Sequence, residues 1–208
     1  MQILLRQLEG LKDSAIKRTI DNRVNEFEQA GSSDEKKVFS ELCFCLLTAN
    51  FDAARAIKIQ AAMNGDFASL PEKRLAKRLK ELGYRFPNTR ASFIAEARKH
   101  NGSLKKIIGS FESDEAAREW LVKNVKGLGY KEASHFLRNT GKKNLAIIDF
   151  HIIDLLERHR LIEKPKTISK ARYLEIEDVL RKLGTKAGLN QSELDLYLWY
   201  METGKVLK

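Results

Sequence analysis

Apolar positions in this chain recur at three- and four-residue spacing from one end to the other, the period of helices with one face turned inward. No run alternates apolar and polar residues, and no Asn-Gly turn is flanked by strand-like segments. The pattern predicts an amphipathic stretch over roughly residues 2–30 that ends near Gly31. Ser33 then caps a helix that carries Val38, Phe39, Leu42, Cys43 and Leu46 on one stripe, and a further helix runs from Asp52 to about Ala62. Pro71 suits the first turn of a helix that reaches Leu82 and stops at Gly83. Residues 88–99 form another, with Phe93, Ile94 and Ala97 inward, and Ser103 and Ser113 cap the next two. Asp149 caps a helix to about Arg158, Arg172 to Leu183 is one more ended by Gly184, and Ser192 caps a last helix to about Thr203. The one departure is Leu145-Ala-Ile-Ile148, which reads as a short strand or, more simply, as a buried loop leading into the helix at Asp149. The fold class is all-α.

Composition narrows the field. A chain of 208 residues supports one good-sized domain or two small ones sharing a cleft. The longest mainly apolar run, Leu42 to Ala49, is far short of the ~20 residues a membrane span needs. The opening Met1-Gln2-Ile3-Leu4-Leu5-Arg6 lacks the basic and small-residue features of a signal peptide, so a cytoplasmic protein is expected. Thirty-eight Lys and Arg against twenty-eight acids leave a net charge of +10, which favours a polyanionic partner. A Lys- and Glu-rich heat-adapted surface would show the same balance, so charge alone admits nucleic acid without requiring it. Cys43 and Cys45 sit in an apolar stretch, and His100, His135, His151 and His159 are scattered, so neither a metal nor a cofactor is predicted.

One internal echo stands out: Leu82-Gly83-Tyr84-Arg85 and Leu128-Gly129-Tyr130-Lys131 place a similar tight turn between two helices. Only the second has another glycine two residues earlier, in Val125-Lys126-Gly127-Leu128-Gly129-Tyr130-Lys131-Glu132-Ala133. Gly127 and Gly129 let the backbone turn sharply and approach another backbone closely. The helix that follows points unpaired N–H groups and its positive dipole end outward, a ready site for a DNA phosphate, with Lys126, Lys131, Lys142 and Lys143 around it. A lone Gly-x-Gly would be an ordinary helix-ending turn; the flanking helices and the basic surroundings favour DNA backbone binding.

The run Gly127-Leu-Gly-Tyr-Lys-Glu-Ala-Ser-His135, followed by Ile147-Ile-Asp-Phe-His151, resembles the helix–hairpin–helix DNA glycosylase superfamily. In particular it is similar to the archaeal-type, or type 2, 8-oxoguanine DNA glycosylase/AP lyases, over nearly the whole chain from Glu41–Asn50 to Gly204–Lys208. The resemblance implies a two-lobed fold with DNA crossing a cleft: a lobe of residues 37–149 holding the helix–hairpin–helix at about 114–139, and a second lobe joining 1–36 to 150–208. It implies a bifunctional repair enzyme, acting as a monomer on duplex DNA containing 8-oxoguanine, with Lys131 as nucleophile and Asp149 as the superfamily's aspartate.

The chemistry suits those residue types. Breaking the N-glycosidic bond builds positive charge at C1′, which a nearby carboxylate stabilises. A neutral amine can attack C1′, form a Schiff base and so permit β-elimination of the 3′ phosphate. The 149 − 131 = 18 residues between Asp149 and Lys131 allow one helix and a return loop to bring them face to face. Asp149 also serves as an ordinary helix cap, and His151 is either a phosphate contact or a packed core histidine. Phe150 departs from the basic residue close relatives are expected to carry, which bears on a local phosphate contact and not on the chemistry. The base must be flipped into a pocket to be read. By resemblance, Phe86 and Trp199 sandwich it and Asn50 fills the gap it leaves; each would otherwise be a core aromatic or a helix cap. Arg55 is a candidate contact to the opposite base. Lys208 follows the last helix directly, and its α-carboxylate is an acceptor pair that matches the N1–H and N2 edge of a guanine; the family uses its terminal lysine to tell 8-oxoguanine from guanine. The alternatives are a superfamily glycosylase for another damaged or mismatched base, a DNA clamp without catalysis, and an RNA-binding protein, though no aromatic stacking motif supports the last.

Overall fold

Amphipathic segments can bury their apolar stripes only against one another, and here they do so as thirteen α-helices with no strand; the computed structural model describes all 208 residues. The helices are α1 (Gln2–Lys12), α2 (Ile16–Ser32), α3 (Glu35–Thr48), α4 (Ala53–Met63), α5 (Asp66–Ser69), α6 (Glu72–Glu81) and α7 (Pro87–Ala97). They continue with α8 (Leu104–Gly109), α9 (Asp114–Asn124), α10 (Tyr130–Asn139), α11 (Phe150–Arg158), α12 (Lys170–Ala187) and α13 (Gln191–Thr203).

Several boundaries differ from the sequence reading, each for a local reason. The stretch over 2–30 is two helices, broken at Asp13–Ala15 where the Ser14 hydroxyl donates to the Leu11 carbonyl at 2.7 Å. The break lets Leu4 and Leu8 on one side, and Ile20, Val24 and Phe27 on the other, all face one core. Asp34, not Ser33, caps α3 through its carboxylate and the Lys37 N–H; Ser33 instead donates back to Gln29 O. Asn190, not Ser192, caps α13, in a reciprocal box with Glu193. Gly184 does not end α12, which runs to Ala187 and stops at Gly188 with φ +65°. Gly184 is instead a point of close approach: a Cβ there would lie 2.8 Å from Leu189 O and from Gln191 Nε2. The short helix α5 had no counterpart in the pattern, since one turn is too brief to show a period. The echo is also looser than it looked, because Gly83 has φ +76° whereas Gly129 has φ −90° and the positive φ of the second turn falls on Gly127.

The buried apolar residues divide into two cores. The first runs from Val38 to Leu145, and the second combines Leu4–Phe27 with Ala146–Leu198. The chain crosses from one to the other inside Leu145–Ile148, a buried loop and not a strand. Its backbone polar groups are satisfied by side chains of α12: Glu177 accepts from the Ala146 N–H (3.0 Å), while the Tyr173 hydroxyl donates to Ala146 O (2.8 Å) and accepts from the Ile148 N–H (3.3 Å). Glu177 also forms a bidentate ion pair with Arg118 of α9, at 2.6 and 2.8 Å, both side chains almost wholly buried. Two further buried pairs join elements of the two cores, Arg138 to Asp195 (3.2 Å) and Glu41 to Lys208 (2.8 Å). The cores are thus pinned together by charge as well as by packing.

Candidate active site

The loop held by Tyr173 and Glu177 delivers Asp149 to the N-cap of α11, where one carboxylate oxygen accepts from the Ile152 N–H at 3.0 Å. That occupies a single oxygen of the two. Opposite in the chain, Val125–Gly129 joins α9 to α10, and Lys131 is the second residue of α10. Gly127 adopts φ +90°, and a Cβ there would lie 2.3 Å from the Phe93 ring of α7, so the hairpin is seated against that ring in a way only glycine permits. Gly129 is extended and is the N-cap residue of α10; the Glu132 carboxylate accepts its N–H at 3.2 Å.

A cleft of about 700 Å³ opens between the cores, and Asn50, Lys131, Asp149, His151, Trp199 and Lys208 all line it. These six come from five separate stretches of chain: the turn after α3, the start of α10, the start of α11, α13, and the segment beyond α13. Asn50 has φ +56°, a left-handed conformation that Asn tolerates better than most residues. The carbonyls just before it are held by the Tyr84 hydroxyl (to Leu47 O, 2.9 Å) and the Arg90 guanidinium (to Ala49 O, 3.3 Å). His151 stands edge-on to Trp199, ring centroids 4.9 Å apart, and its ring lies 4.0 Å from that of Phe150, tilted by 35°. Phe150 is 65% exposed, an apolar ring at the cleft's edge.

Four of the sequence-derived residues lie elsewhere. Gly127 and Gly129 are on the hairpin beside the cleft and not in its wall. Phe86 is exposed at the N-cap of α7 with the Arg85 guanidinium over its ring, and it is not brought together with Trp199 in the lining. Its hairpin nevertheless docks on the cleft's rim, since Tyr84 packs on the lining residue Phe51 at 4.6 Å. Arg55, whose guanidinium donates to Gly83 O (2.9 Å), braces the same turn.

The cleft also contains residues the sequence reading passed over. His135 lies one turn beyond Lys131 on α10, 5% exposed, with neither ring nitrogen hydrogen-bonded. Burial, with Arg138, Lys131 and Lys208 nearby, holds its pKa well below the usual histidine range, so the ring is neutral at neutral pH. Asp195 lies one turn before Trp199 on α13; burial pushes its carboxyl up to about 6, against the opposing pull of Arg138, with the Asp149 charge adding to the rise and Lys131 opposing it. The i, i+4 spacing of Lys131 with His135 and of Asp195 with Trp199 was present in the sequence and would have found both, because side chains four apart share a helix face. Lys208 is anchored by its side chain: the ammonium donates to both oxygens of buried Glu41 at 2.8 and 3.0 Å and to the Gln60 carbonyl, over the face of Phe44.

Comparison with known proteins agrees with this geometry. Residues 20–189 match the family model described as 8-oxoguanine DNA glycosylase. The chain is 53% identical over 206 residues to the 8-oxoguanine DNA glycosylase/AP lyase of Korarchaeum cryptofilum, covering 99% of this chain and 98% of that one. Its fold superposes with a TM-score of 0.96 on the Methanocaldococcus jannaschii 8-oxoguanine glycosylase/lyase in complex with a 15mer DNA containing 8-oxoguanine, at 49% identity and covering 99% and 100% of the two chains. With the 8-oxoguanine DNA glycosylase of Thermotoga maritima the TM-score is 0.93 at 45% identity, covering 100% and 99%.

Proposed function

The chain belongs to the 8-oxoguanine DNA glycosylase family, and from that premise we propose how its residues divide the work of excising 8-oxoguanine and cleaving the abasic site. The observation that carries the proposal is the convergence of Lys131, Asp149, His151, Trp199, Lys208 and Asn50 on one cleft from five stretches of chain. A damaged nucleotide flips out of the duplex into this cleft, its base against Trp199 with Phe86 reaching in from the rim, while Asn50 enters the gap. The backbone of Lys208 reads the purine edge. The first-turn N–H groups of α10, behind the Gly127–Gly129 hairpin, and His151 grip phosphates on either side. The lobes of residues 37–149 and of 1–36 with 150–208 close on the DNA as a monomer, in the cytoplasm.

In the chemical step the Lys131 amine forms a bond to C1′ as the C1′–N9 bond breaks, and the bonding pair leaves with the base, which is protonated. Asp149 stabilises the positive charge that develops at the sugar. Lys131 gives up a proton, the ring opens to the Schiff base, a 2′ proton is removed and the 3′ phosphate leaves by β-elimination.

The test is borohydride trapping on a duplex holding one 8-oxoguanine, beside undamaged duplex and Lys131→Gln. Covalent protein–DNA that needs both the lesion and Lys131 supports the assignment. Strand cleavage unchanged in Lys131→Gln overturns it, and binding without excision points to a clamp.

A further inference from the structure

We propose that Glu41 is a positioning residue that holds Lys208 in register with the flipped base, and so sets the enzyme's preference for its lesion. The inference rests on Lys208 reading the base. Glu41 is 2% exposed in the middle of α3, surrounded by the apolar residues of the first core, where an unpaired carboxylate is strongly disfavoured. Nothing in the chemistry assigned to Lys131 and Asp149 uses it. Its partners form a socket for one ammonium. Both carboxylate oxygens accept from Lys208 Nζ, the Gln60 carbonyl accepts as well, and the Phe44 ring lies 4.5 Å below. These acceptors match the three donors of a lysine ammonium.

The socket is itself held in place. Gln60 donates its amide NH2 to Ser40 O (3.0 Å), Ser40 Oγ (3.1 Å) and Glu41 Oε1 (3.1 Å), which fixes the carbonyl toward Lys208. The Asn139 side chain donates to Glu41 Oε2 at 3.2 Å. Lys37 is a distant second cation, 3.9 Å away and more than half exposed. Residues 204–208 have no helix of their own; the segment's other hydrogen bonds lie at its start, where the Gly204 N–H donates to Tyr200 O at 2.8 Å and Lys205 is joined to Thr203, and Val206 packs on the second core. The charged anchor at the tip of this segment, against a cleft lined by Lys205, Leu207 and Lys208, is therefore Glu41, 167 residues away in sequence. A charge-assisted contact of this kind carries enough energy to change a rate about tenfold when lost.

The experiment compares single-turnover excision of 8-oxoguanine with strand cleavage at a preformed abasic site, where no base remains to be read. The variants are Glu41→Gln, Lys208→Met, the double variant, and a chain shortened to Leu207. Thermal unfolding is followed for all, and the double variant, which leaves no buried charge unpaired, is the control for folding. Glu41→Gln is expected to slow excision about tenfold while abasic-site cleavage stays within about twofold. Lys208→Met should slow excision by a similar factor, and the double variant no further than either single change. Equal losses of excision and abasic-site cleavage in Glu41→Gln would make the pair merely structural and overturn the proposal. A shortened chain that loses excision while Glu41→Gln and Lys208→Met keep it would overturn the anchor but leave Lys208 as the reader. A shortened chain with intact excision would remove the base-reading role of Lys208 and the proposal together.

Discussion

Glu177 links the stability of this fold to the placement of its aspartate, so Glu177→Leu is an informative perturbation. The change removes both hydrogen bonds to Arg118 and leaves that guanidinium 1% exposed between Tyr130 and Tyr173, with only the Ser134 hydroxyl at 3.2 Å as partner. It also strips the acceptor from the Ala146 N–H, in the loop three residues before Asp149. Breaking one side of a buried pair costs about 3–5 kcal/mol. For a chain of 208 residues each kcal/mol shifts the melting temperature by roughly 2–4 °C, so a fall of about 6–20 °C is expected. Arg118→Met in the same background should restore much of the loss, because two apolar side chains replace the pair without an uncompensated charge. A double-mutant cycle followed by circular dichroism on heating gives the coupling directly. Additive single costs, or a Glu177→Leu loss under about 1 kcal/mol, would refute the view that the two cores are pinned by this pair. Excision should remain impaired in the double variant even where stability recovers, since the Ala146 N–H still lacks its acceptor.

Four further outcomes follow from single residues. Gly127→Ala places a Cβ 2.3 Å from Phe93 at φ +90°, so a loss of about 2–4 kcal/mol on heating is expected, together with weaker binding to undamaged duplex; unaltered melting and binding would show that the turn tolerates a side chain. Asp149→Asn keeps a good cap for α11, so melting should change by less than about 1 kcal/mol while excision collapses, and retained excision would reduce Asp149 to its capping role. His135, facing Arg138, Lys131 and Lys208, stays neutral in the folded chain, whereas the unfolded chain takes up a proton below about pH 6.5. Its contribution is therefore present above that pH and lost as pH falls, and His135→Gln should lose less stability than the parent between pH 8 and pH 5. Asp195, facing Arg138, Asp149 and Lys131, acts in the opposite sense: with its carboxyl raised to about 6, the folded chain binds that proton first and gains stability as pH falls from there toward the ordinary carboxylate range. Asp195→Asn should steepen the acid loss, and parallel melting curves against pH for all three proteins would contradict both assignments.

The helical class, most helix positions and the hairpin glycines were readable from the chain alone, because each depends on short-range order. A 3.6-residue period, a capping side chain three residues from the N–H it binds, and two glycines in one turn all lie within a few positions of one another. The misplaced caps at Ser33 and Ser192 show the limit of that order: two neighbouring polar residues can each cap, and the backbone angles that choose Asp34 and Asn190 come from how the helices pack. Gly184 was misread for a related reason, since its lack of a side chain answers to Leu189 and Gln191 across a tight contact and not to the end of its own helix. Tertiary structure alone decided that the chain would cross between two cores within Leu145–Ile148, and that Glu177, Asp195 and Glu41 would be buried with the cations that match them. A carboxylate in a sequence reads as surface by default, and only the three-dimensional partner, tens to more than a hundred residues away, makes its burial affordable and turns it into a support for the cleft.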